Sequence, residues 1–550
     1  MSAAAPRPLG SLTGRGRRSV RTPPAWTLTA AFGLLYVLLA LPSSDLAAAS
    51  YRSNLFSRVG FTLWDNSWYA GHHLLAYSLL APALGALIGT QVLAALSMTA
   101  VTGLFAVIVE GRYPRRAAQI AALWLALGAA VGLLSNRVPF DFGLAIALGA
   151  VLAALRERLG VALSLSVLTS LASPVDGAFL ALAWVAWGLA GPRRRWPAAL
   201  TGAALGPIAL LALVFPEGGS QPFDPSAFYP ALAGVLLIAW LVPAEQRVLR
   251  IGVLLYAAAL TGSYVLPTAV GANADRLGAL FGAPVAALLL LGRSTIGRRP
   301  RLLLAAAPML LYWQANAPVT DFAAAISDPG VHSSYYDPLL GELRRIGVGY
   351  GARPARVEVV PLTDHWEARW VAPHVMIARG WERQLDRYRD GLFYDESTSL
   401  TAAAYHAWLN EQSVSYVALP DVPLDYSAIT EGRLLRGGSA GAGGPPSYLR
   451  EVWHSAHWRL FAVADPRPLI EGGAALRSVT TDSFTLAAPR AGSYTVRLHF
   501  TAYWALASGH GCVSRAPGDW TSVRAPGAGV MHVVIAFSPG RIFDHGARCR

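Results

Sequence analysis

The sequence predicts a polytopic α-helical membrane protein whose C-terminal region lies outside the cytoplasm. Hydrophobic residues make up 54% of the 550 residues and charged residues only 14%, whereas a soluble domain carries roughly 25% charged residues. Between residues 26 and 313, long apolar runs alternate with short breaks that are charged or rich in Pro and Gly. After residue 316 the composition becomes that of an ordinary soluble protein.

Eleven apolar segments approach the length of about 20 residues that a membrane-spanning helix needs. They are 26–43, 90–109, 117–135, 141–155, 160–174, 176–191, 197–215, 229–243, 250–267, 277–292 and 301–315. The apolar stretch 74–89 is left out, because counting it would place the arginines of 112–116 on the outer side. It is predicted to be an amphipathic helix along the outer membrane surface, which makes 44–89 a structured outer loop.

The arginines between the apolar segments predict the orientation. The chain contains no lysine, so arginine supplies every basic side chain behind the net charge of +13. With the N-terminus inside, the cytoplasmic segments hold five arginines in the tail (Arg7, Arg15, Arg17, Arg18, Arg21) and fourteen more (Arg112, Arg115, Arg116, Arg156, Arg158, Arg193, Arg194, Arg195, Arg247, Arg250, Arg293, Arg298, Arg299, Arg301). The outer segments hold four, namely Arg52, Arg58, Arg137 and Arg276. This bias is the positive-inside pattern, and it argues against nucleic-acid binding as the reason for the charge.

Four regions follow from this topology, in a multi-pass protein of the plasma membrane. Residues 1–25 form an arginine-rich cytoplasmic tail without a convincing signal-peptide cleavage site, and residues 26–315 form the membrane domain. An odd number of spans places the remainder outside, as an α/β subdomain (316–470) and a small β-sandwich (471–550). The two cysteines, Cys512 and Cys549, both fall there, where disulfides persist; a bridge between them is favoured over two unpaired thiols.

Local patterns divide the outer region further. Helices are predicted at 400–412 and 448–454, and strands at 414–419 and 458–463. Beyond residue 470, alternating runs separated by Pro and Gly predict strands at 478–486, 492–500, 520–524 and 530–537.

The first outer loop holds the densest set of chemically useful side chains. Asp45 is predicted to close the first span, Asp65 lies twenty residues further on, and either one is a candidate catalytic acid or base. Substrate-binding candidates in the same loop are Tyr51, Arg52, Trp64, Asn66, Trp68, Tyr69, His72, His73 and Tyr77. Aromatic rings pack on sugar faces and carboxylates or amides hold hydroxyls, so this loop fits a sugar site. The alternatives are a helix-ending acid and the aromatic belt of a membrane interface.

Polar residues elsewhere on the outer face can join this site. Asp141 and Asp176 lie at the starts of predicted spans, where capping is an equally simple role. In the outer region, His365, Trp366 and Glu367 repeat the same chemistry and are candidate substrate contacts, and 381–386 follows with more charge. A solvated surface is the alternative for both runs. There is no P-loop, dinucleotide fingerprint or zinc-binding cysteine pattern.

The arrangement resembles the C-type superfamily of integral-membrane glycosyltransferases, in particular actinobacterial cell-envelope members and YfhO-like membrane proteins. The resemblance is carried by an acid after the first span with Tyr51 and Arg52 following, then by the Gly-containing segment 60–69 and the surface stretch 71–89 before the second span. Many members pair two acids at this point, whereas Asp45 stands alone. A requirement for a divalent cation is therefore left open.

The resemblance implies an inverting transfer of a sugar from a polyprenyl-phosphate donor to a glycan or glycolipid acceptor of the cell envelope. Asp45 would deprotonate the acceptor hydroxyl, and Arg52 or a histidine of the pair would neutralise the departing phosphate. The alternative function is a transporter or flippase of envelope lipids. Against it, no charged residue lies deep within a predicted span and no internal repeat is visible.

Overall fold

A computed structural model describes residues 23–75, 77–191, 195–292, 299–351, 353–394, 400–437 and 444–542. Most of the predicted cytoplasmic tail and Cys549 therefore lie outside the described residues. Cys512 is disulfide-bonded.

Helices dominate the first three-fifths of the chain. They are α1 (Trp26–Leu38), α2 (Ser44–Val59), α3 (Ala81–Ile88), α4 (Thr90–Val109), α5 (Arg115–Gly132), α6 (Val138–Leu155), α7 (Leu159–Ala172), α8 (Pro174–Ala190), α9 (Arg195–Val214), α10 (Pro225–Leu241), α11 (Arg247–Val265), α12 (Asp275–Leu291) and α13 (Arg299–Ala325). Between α2 and α3, the two-residue strands β1 (Trp64–Asp65) and β2 (His72–His73) pair antiparallel. Every segment predicted as a span coincides with one of these helices.

Six helices in the described part of the chain are long and apolar enough to cross a membrane, and four shorter apolar helices accompany them. This agrees with a membrane protein that has a sheet-rich C-terminal region. The number of spans, about eleven, and the orientation remain predictions.

Two predicted features of the first outer loop differ in the structure. Asp45 does not close the first span, because α1 ends at Leu38 and Asp45 lies in the first turn of α2. Pro42 separates the two helices, since proline lacks an N–H and disfavours helix at the residue before it. The surface helix is also shorter than 74–89: α3 has Pro82 in its first turn and ends at Gly89, where φ is 91°.

The last helix of the membrane part runs further than predicted. Apolar residues thin out after residue 315, but α13 continues past Pro318 to Ala325, and its last three residues are alanines, which favour helix. Its 27 residues span about 40 Å, more than the roughly 30 Å of a bilayer core. The extension brings Asp321 to the same end of the bundle as Asp45.

The region after α13 begins with five helices and one mixed sheet. The helices are α14 (Ser333–Arg345), α15 (Glu367–Trp370), α16 (Arg383–Arg389), α17 (Ala402–Glu411) and α18 (Ile429–Leu435). The strands are β3 (Arg356–Val359), β4 (Met376–Ile377), β5 (Val414–Pro420), β6 (Leu449–His454) and β7 (Trp458–Val463), in the order β4-β3-β5-β7-β6. The predicted helix at 448–454 is wrong: this stretch is β6, an edge strand whose pairing with β7 outweighs its local pattern.

Two further sheets follow and share one hydrophobic core. Their strands are β8 (Ala475–Val479), β9 (Ser483–Ala488), β10 (Gly492–His499), β11 (Trp504–Ser508), β12 (Cys512–Arg515), β13 (Trp520–Ala525) and β14 (Gly529–Ile535), in the orders β10-β13-β12 and β11-β14-β9-β8. The predicted strand at 478–486 is divided by a turn at 480–482, so it covers the end of β8 and the first part of β9. Strands β11 and β12 escaped prediction because both are short.

Close packing of the membrane helices depends on small residues around one tryptophan. The Trp313 ring of α13 lies against Gly234 of α10 and against Gly278 and Gly282 of α12, where an added Cβ would come 2.3, 2.4 and 2.6 Å from ring atoms. The Trp313 indole N–H also donates to Asp275 Oδ1 at 2.6 Å. Small residues four apart allow such close helix approach inside membranes.

We expect Gly282→Leu to destabilise the bundle, because its side chain cannot fit beside Trp313. Overpacking typically costs about 1–3 kcal/mol, so the melting temperature of the detergent-solubilised protein falls by several degrees. Gly262→Leu is the matched control, since Gly262 of α11 has no atom within 4 Å of the added Cβ. Equal melting temperatures for the two variants would contradict the packing described.

Candidate active site

Acids and arginines from five separated segments converge at one end of the helix bundle. Asp45, Asp141 and Asp176 occupy the first turns of α2, α6 and α8, where the positive end of a helix dipole favours negative charge. Arg137, Arg276 and Asp321 come within electrostatic reach of them. These six side chains are called the head cluster. The predicted order of the membrane spans also places all six side chains on the same side of the membrane.

Asp45 is a partly exposed carboxylate of the head cluster. Its Oδ2 lies 3.6 Å from Arg137 Nε and 3.9 Å from Arg276 Nη2, and its side chain is 29% exposed. These are ion-pair distances, too long for hydrogen bonds. The carboxylate therefore faces two guanidinium groups while its oxygens keep free acceptor positions.

Two other acids of the head cluster are buried. Asp141 and Asp176 are inaccessible, and one oxygen of Asp141 and both oxygens of Asp176 have no hydrogen-bond partner within the described residues. Asp321 is partly exposed, and Ser135 donates to its Oδ2 at 3.0 Å. The predicted substrate contact Asp176 is thus buried within the helix bundle.

Arg52 is held by the C-terminal region, not by Asp45. Its Nη2 donates to Glu382 Oε2 at 2.7 Å, and its guanidinium lies 4.3 Å from the centre of the Tyr77 ring and 5.5 Å from that of Trp68. The Arg52 side chain is only 4% exposed. Most of its charge is therefore already matched by Glu382.

Two largely apolar clefts flank Arg52. One, of about 10 Å³, lies between α2, the 77–82 segment and the start of α6, and includes Ala49 and Val138 in its lining. Ala49 is one turn from Asp45 on the same face of α2, and Val138 follows Arg137. The other, of about 40 Å³, is lined mainly by apolar side chains of α2 and of residues 60–82.

Asp65, the second predicted acid, is sealed inside the structure. It is fully buried, its Oδ2 accepts from the Tyr51 hydroxyl at 2.7 Å, and its Oδ1 accepts from the Ser67 N–H at 2.9 Å. Burial raises the pKa of this carboxyl. Its position is that of a structural link between α2 and the hairpin β1–β2.

The aromatic residues of the first outer loop form a buried column. Tyr51 stacks on Trp68 at 4.4 Å between centroids, and Trp68 stacks on His72 at 5.6 Å with planes 4° apart. Burial lowers the pKa of His72 to about 3, so this imidazole is neutral near pH 7. The expectation that His72 could neutralise a departing phosphate therefore does not fit its surroundings.

The rest of the predicted loop residues contact the C-terminal region. The Glu382 N–H donates to the Tyr69 hydroxyl at 3.0 Å, and Asn66 Nδ2 donates to the Thr480 carbonyl at 2.9 Å. The Trp64 indole N–H donates to Asn66 Oδ1 at 2.8 Å. His73 is within hydrogen-bond distance of Glu217 Oε1 and Thr501 Oγ1, at 3.0 and 3.1 Å.

The outer candidates His365, Trp366 and Glu367 are buried within the C-terminal region. His365 lies 3.1 Å from Glu367 Oε1 and 3.3 Å from Asp425 Oδ2, and its ring stacks on Trp381 at 4.0 Å. The Trp381 indole N–H donates to the Ser44 carbonyl at 3.0 Å, next to Asp45. These residues are placed to support the start of α2 from behind.

Sequence reasoning missed Arg137 and Arg276 as site residues. Both are among the four arginines on the predicted outer side. As exceptions to the positive-inside bias, these arginines could have been identified from the sequence as candidate site residues. Within the described residues, no group of three or more His, Cys, Asp or Glu side chains is arranged to hold a metal ion. Two arginines lie beside Asp45, whereas many members of the superfamily that the sequence resembles have a second acid at this point.

No family model matches the sequence, and no curated protein matches it. Among solved structures, the chain is similar to the arabinofuranosyltransferase AftD from mycobacteria (13% identity, TM-score 0.44), with 94% of this chain and 57% of that one covered. It is also similar to the oligosaccharyltransferase of Archaeoglobus fulgidus (13% identity, TM-score 0.39; 72% and 68% covered), also solved as AglB with an inhibitory peptide and a dolichol-phosphate (TM-score 0.35).

The chain spans less than two thirds of the length of the mycobacterial structures it matches. At such identities and TM-scores the similarity supports no conclusion about activity, and the function proposed below is based on the residues of this chain.

The buried His365 predicts a pH dependence of stability. Burial alone lowers the pKa of His365, but the hydrogen bonds with Asp425 and Glu367 outweigh it and raise the value from 6.5 to about 9. A raised pKa in the folded state stabilises the fold fully below pH 6.5, and this stability is lost as the pH rises through 9. We expect the melting temperature to fall between pH 6.5 and 9.5, by an amount that corresponds to up to roughly 3 kcal/mol.

The melting temperature of the His365→Gln protein should change less over the same pH range, because the glutamine side chain does not titrate. His457→Gln changes a half-exposed histidine and should keep the wild-type profile. A wild-type slope in the His365→Gln protein would show that this histidine does not cause the dependence.

Proposed function

We propose that the chain is an inverting glycosyltransferase that moves a sugar from a polyprenyl-phosphate donor to a cell-envelope glycan or glycolipid. The observation that carries the proposal is the placement of Asp45, a partly exposed carboxylate between Arg137 and Arg276 at the head of a membrane-type helix bundle. A base beside two cations suits a reaction in which a hydroxyl loses a proton while a phosphate departs. The catalytic head faces the outer side of the plasma membrane in this proposal.

Asp45, Arg137 and Arg276 are sufficient for the proposed transfer of the sugar. An Oδ atom of Asp45 takes the proton of the acceptor hydroxyl, whose oxygen forms a bond to the anomeric carbon from the face opposite the phosphate. The bond between that carbon and the phosphate oxygen breaks, and the phosphate leaves with the electron pair. Arg137 and Arg276 match the charge that develops on the departing phosphate.

Arg52 is given a different role from the one that the resemblance implies. Glu382 already neutralises it at 2.7 Å, so Arg137 and Arg276 are the better partners for phosphate. Arg52 instead forms part of the walls of both apolar clefts.

Asp45 is preferred to Asp65 as the base. Asp65 is fully buried and both of its oxygens accept hydrogen bonds from neighbours. A general base must come within hydrogen-bond reach of the proton that it removes. Asp45 meets this condition without any rearrangement, whereas Asp65 does not.

Asp45→Asn tests the base directly. We expect transfer from a polyprenyl-phospho-sugar to fall roughly 10²- to 10⁴-fold, the range that general-base catalysis contributes, with an unchanged melting temperature. The measurement is the transfer of labelled sugar by purified protein in lipid nanodiscs, with a panel of polyprenyl-phosphate donors. Asp224→Asn changes an exposed acid at the start of α10 and should leave the rate unchanged.

Full activity of Asp45→Asn would remove Asp45 as the base. If the wild type turns over none of the donors but moves prenyl-linked lipids between leaflets of proteoliposomes, the transporter function replaces the one proposed. Both results are measurable on the same preparation.

Arg137→Gln and Arg276→Gln test the phosphate partners. Each should lower kcat/KM roughly 10²- to 10³-fold, as does the loss of one group that stabilises transition-state charge, and Arg137→Lys should recover part of the rate. Arg58→Gln is the matched control, because Arg58 is the exposed fourth arginine of the predicted outer side. Equal losses in all three glutamine variants would indicate a general charge effect and not a phosphate site.

A further inference from the structure

A second cavity, separate from the head cluster, lies where the first outer loop meets the C-terminal sheets. It has a volume of about 100 Å³ and lies beside β1 and β2, the segment after α9, the end of α16, and residues 500–519. One part of its wall is aromatic, with Trp64, Phe500 and Tyr503. The Tyr503 hydroxyl donates to the Val214 carbonyl, which ties the wall from the β-sheets to the end of α9.

The polar part of the cavity carries a carboxylate that is almost completely buried. The Glu217 side chain is 9% exposed, and its Oε1 accepts from the His73 N–H at 2.5 Å and lies 3.0 Å from the His73 ring nitrogen. Burial alone would raise the pKa of Glu217, but the hydrogen bond from His73 and the charge of Arg389 lower it to about 2. The second oxygen is 3.5 Å from Arg389 Nη2 and keeps room for another donor.

The remaining charges of the cavity cancel in pairs. Arg389 faces Glu217, while at the mouth Arg515 Nη1 lies 3.2 Å from Asp519 Oδ1. Thr501 adds a hydroxyl that can donate or accept. The lining thus offers donors and acceptors in balance and no net charge.

This lining selects one class of ligand. The Glu217 carboxylate would repel a free phosphate, and a prenyl chain would offer no hydrogen bond to the six charged or polar side chains of the lining. A neutral ring with many hydroxyl groups satisfies both parts, because its hydroxyls donate to Glu217 and Asp519 and accept from Arg389 and Arg515. Its C–H faces pack on Trp64, Phe500 or Tyr503.

We propose that this cavity binds a neutral sugar unit of the glycan acceptor, at a position distinct from Asp45. The acceptor identity rests on the proposed function, whereas sugar binding itself does not. The wall comes partly from the membrane domain and partly from the C-terminal sheets, so the site exists only when the two are docked. Its effect is to hold the acceptor chain beside the membrane while another unit reacts.

The test uses the full-length protein in detergent micelles, without any donor lipid. Linear neutral tetrasaccharides of glucose, mannose, galactose and arabinose are titrated, and binding is followed by saturation-transfer NMR. We expect at least one of them to bind, and Glu217→Gln and Arg515→Ala to weaken that binding at least tenfold. Arg524→Ala changes an exposed arginine on the neighbouring strand β13 and should bind as the wild type does.

Arg515 is 54% exposed, so its removal does not threaten folding and keeps the test decisive if Glu217→Gln is unstable. Absence of binding by all four sugars, or undiminished binding by Arg515→Ala, would overturn the proposal. Asp45→Asn should bind sugar normally, and loss of binding in that variant would show one site instead of two. Because donor lipid is absent, this result is independent of whether the proposed transfer reaction occurs.

Discussion

The buried ion pair between Arg52 and Glu382 joins two segments that are 330 residues apart in the chain. Removing both charges from water costs several kcal/mol per ion unless further contacts compensate. The compensation here is the ring of Tyr77 over the guanidinium and the bond from the Glu382 N–H to Tyr69. Trp381 adds a bond to Ser44, so the residues on either side of Asp45 are fixed by the C-terminal region. The position of the proposed base therefore depends on docking between the two halves of the protein.

A second constraint explains why acids accumulate at one end of the bundle. Four helices begin there with an aspartate in the first turn, at positions 45, 141, 176 and 275. Each helix start has unpaired N–H groups and a partial positive charge, and Arg137 and Arg276 add full charges between them. This positive field opposes the cost of burying the carboxyl groups of Asp141 and Asp176. Unlike these two acids, Asp45 combines the field with solvent access, and that combination separates a reactive carboxylate from a supporting one.

The apolar runs predicted the helices well because a chain in a bilayer must pair every backbone group within helices. Pro42 interrupts the predicted first helix, so Asp45 lies at the start of the second helix and not at the end of the first. The strand at 449–454 could not be predicted, since its pairing with residues 459–463 is not encoded in its own pattern. Partners such as Arg276 for Asp45 and Glu382 for Arg52 were out of reach for the same reason. The local sequence indicates which side chains are suited to the chemistry. The tertiary fold determines which of these side chains come into contact.

The first outer loop is rich in aromatic residues, but the structural reason differs from the sugar site that this composition suggested. Flat rings beside acids and imidazoles suit a sugar site, but they suit a buried contact between two domains equally well. Burial separates the two cases. Tyr51, Trp68 and His72 are fully enclosed and stack on one another, and an added Cβ at Gly380 would lie 2.6 Å from the Trp68 ring. Trp64 packs in the same interface but also reaches the wall of the second cavity. The contact that organises the loop thus creates, at its edge, a concave surface with the chemistry that the composition first suggested.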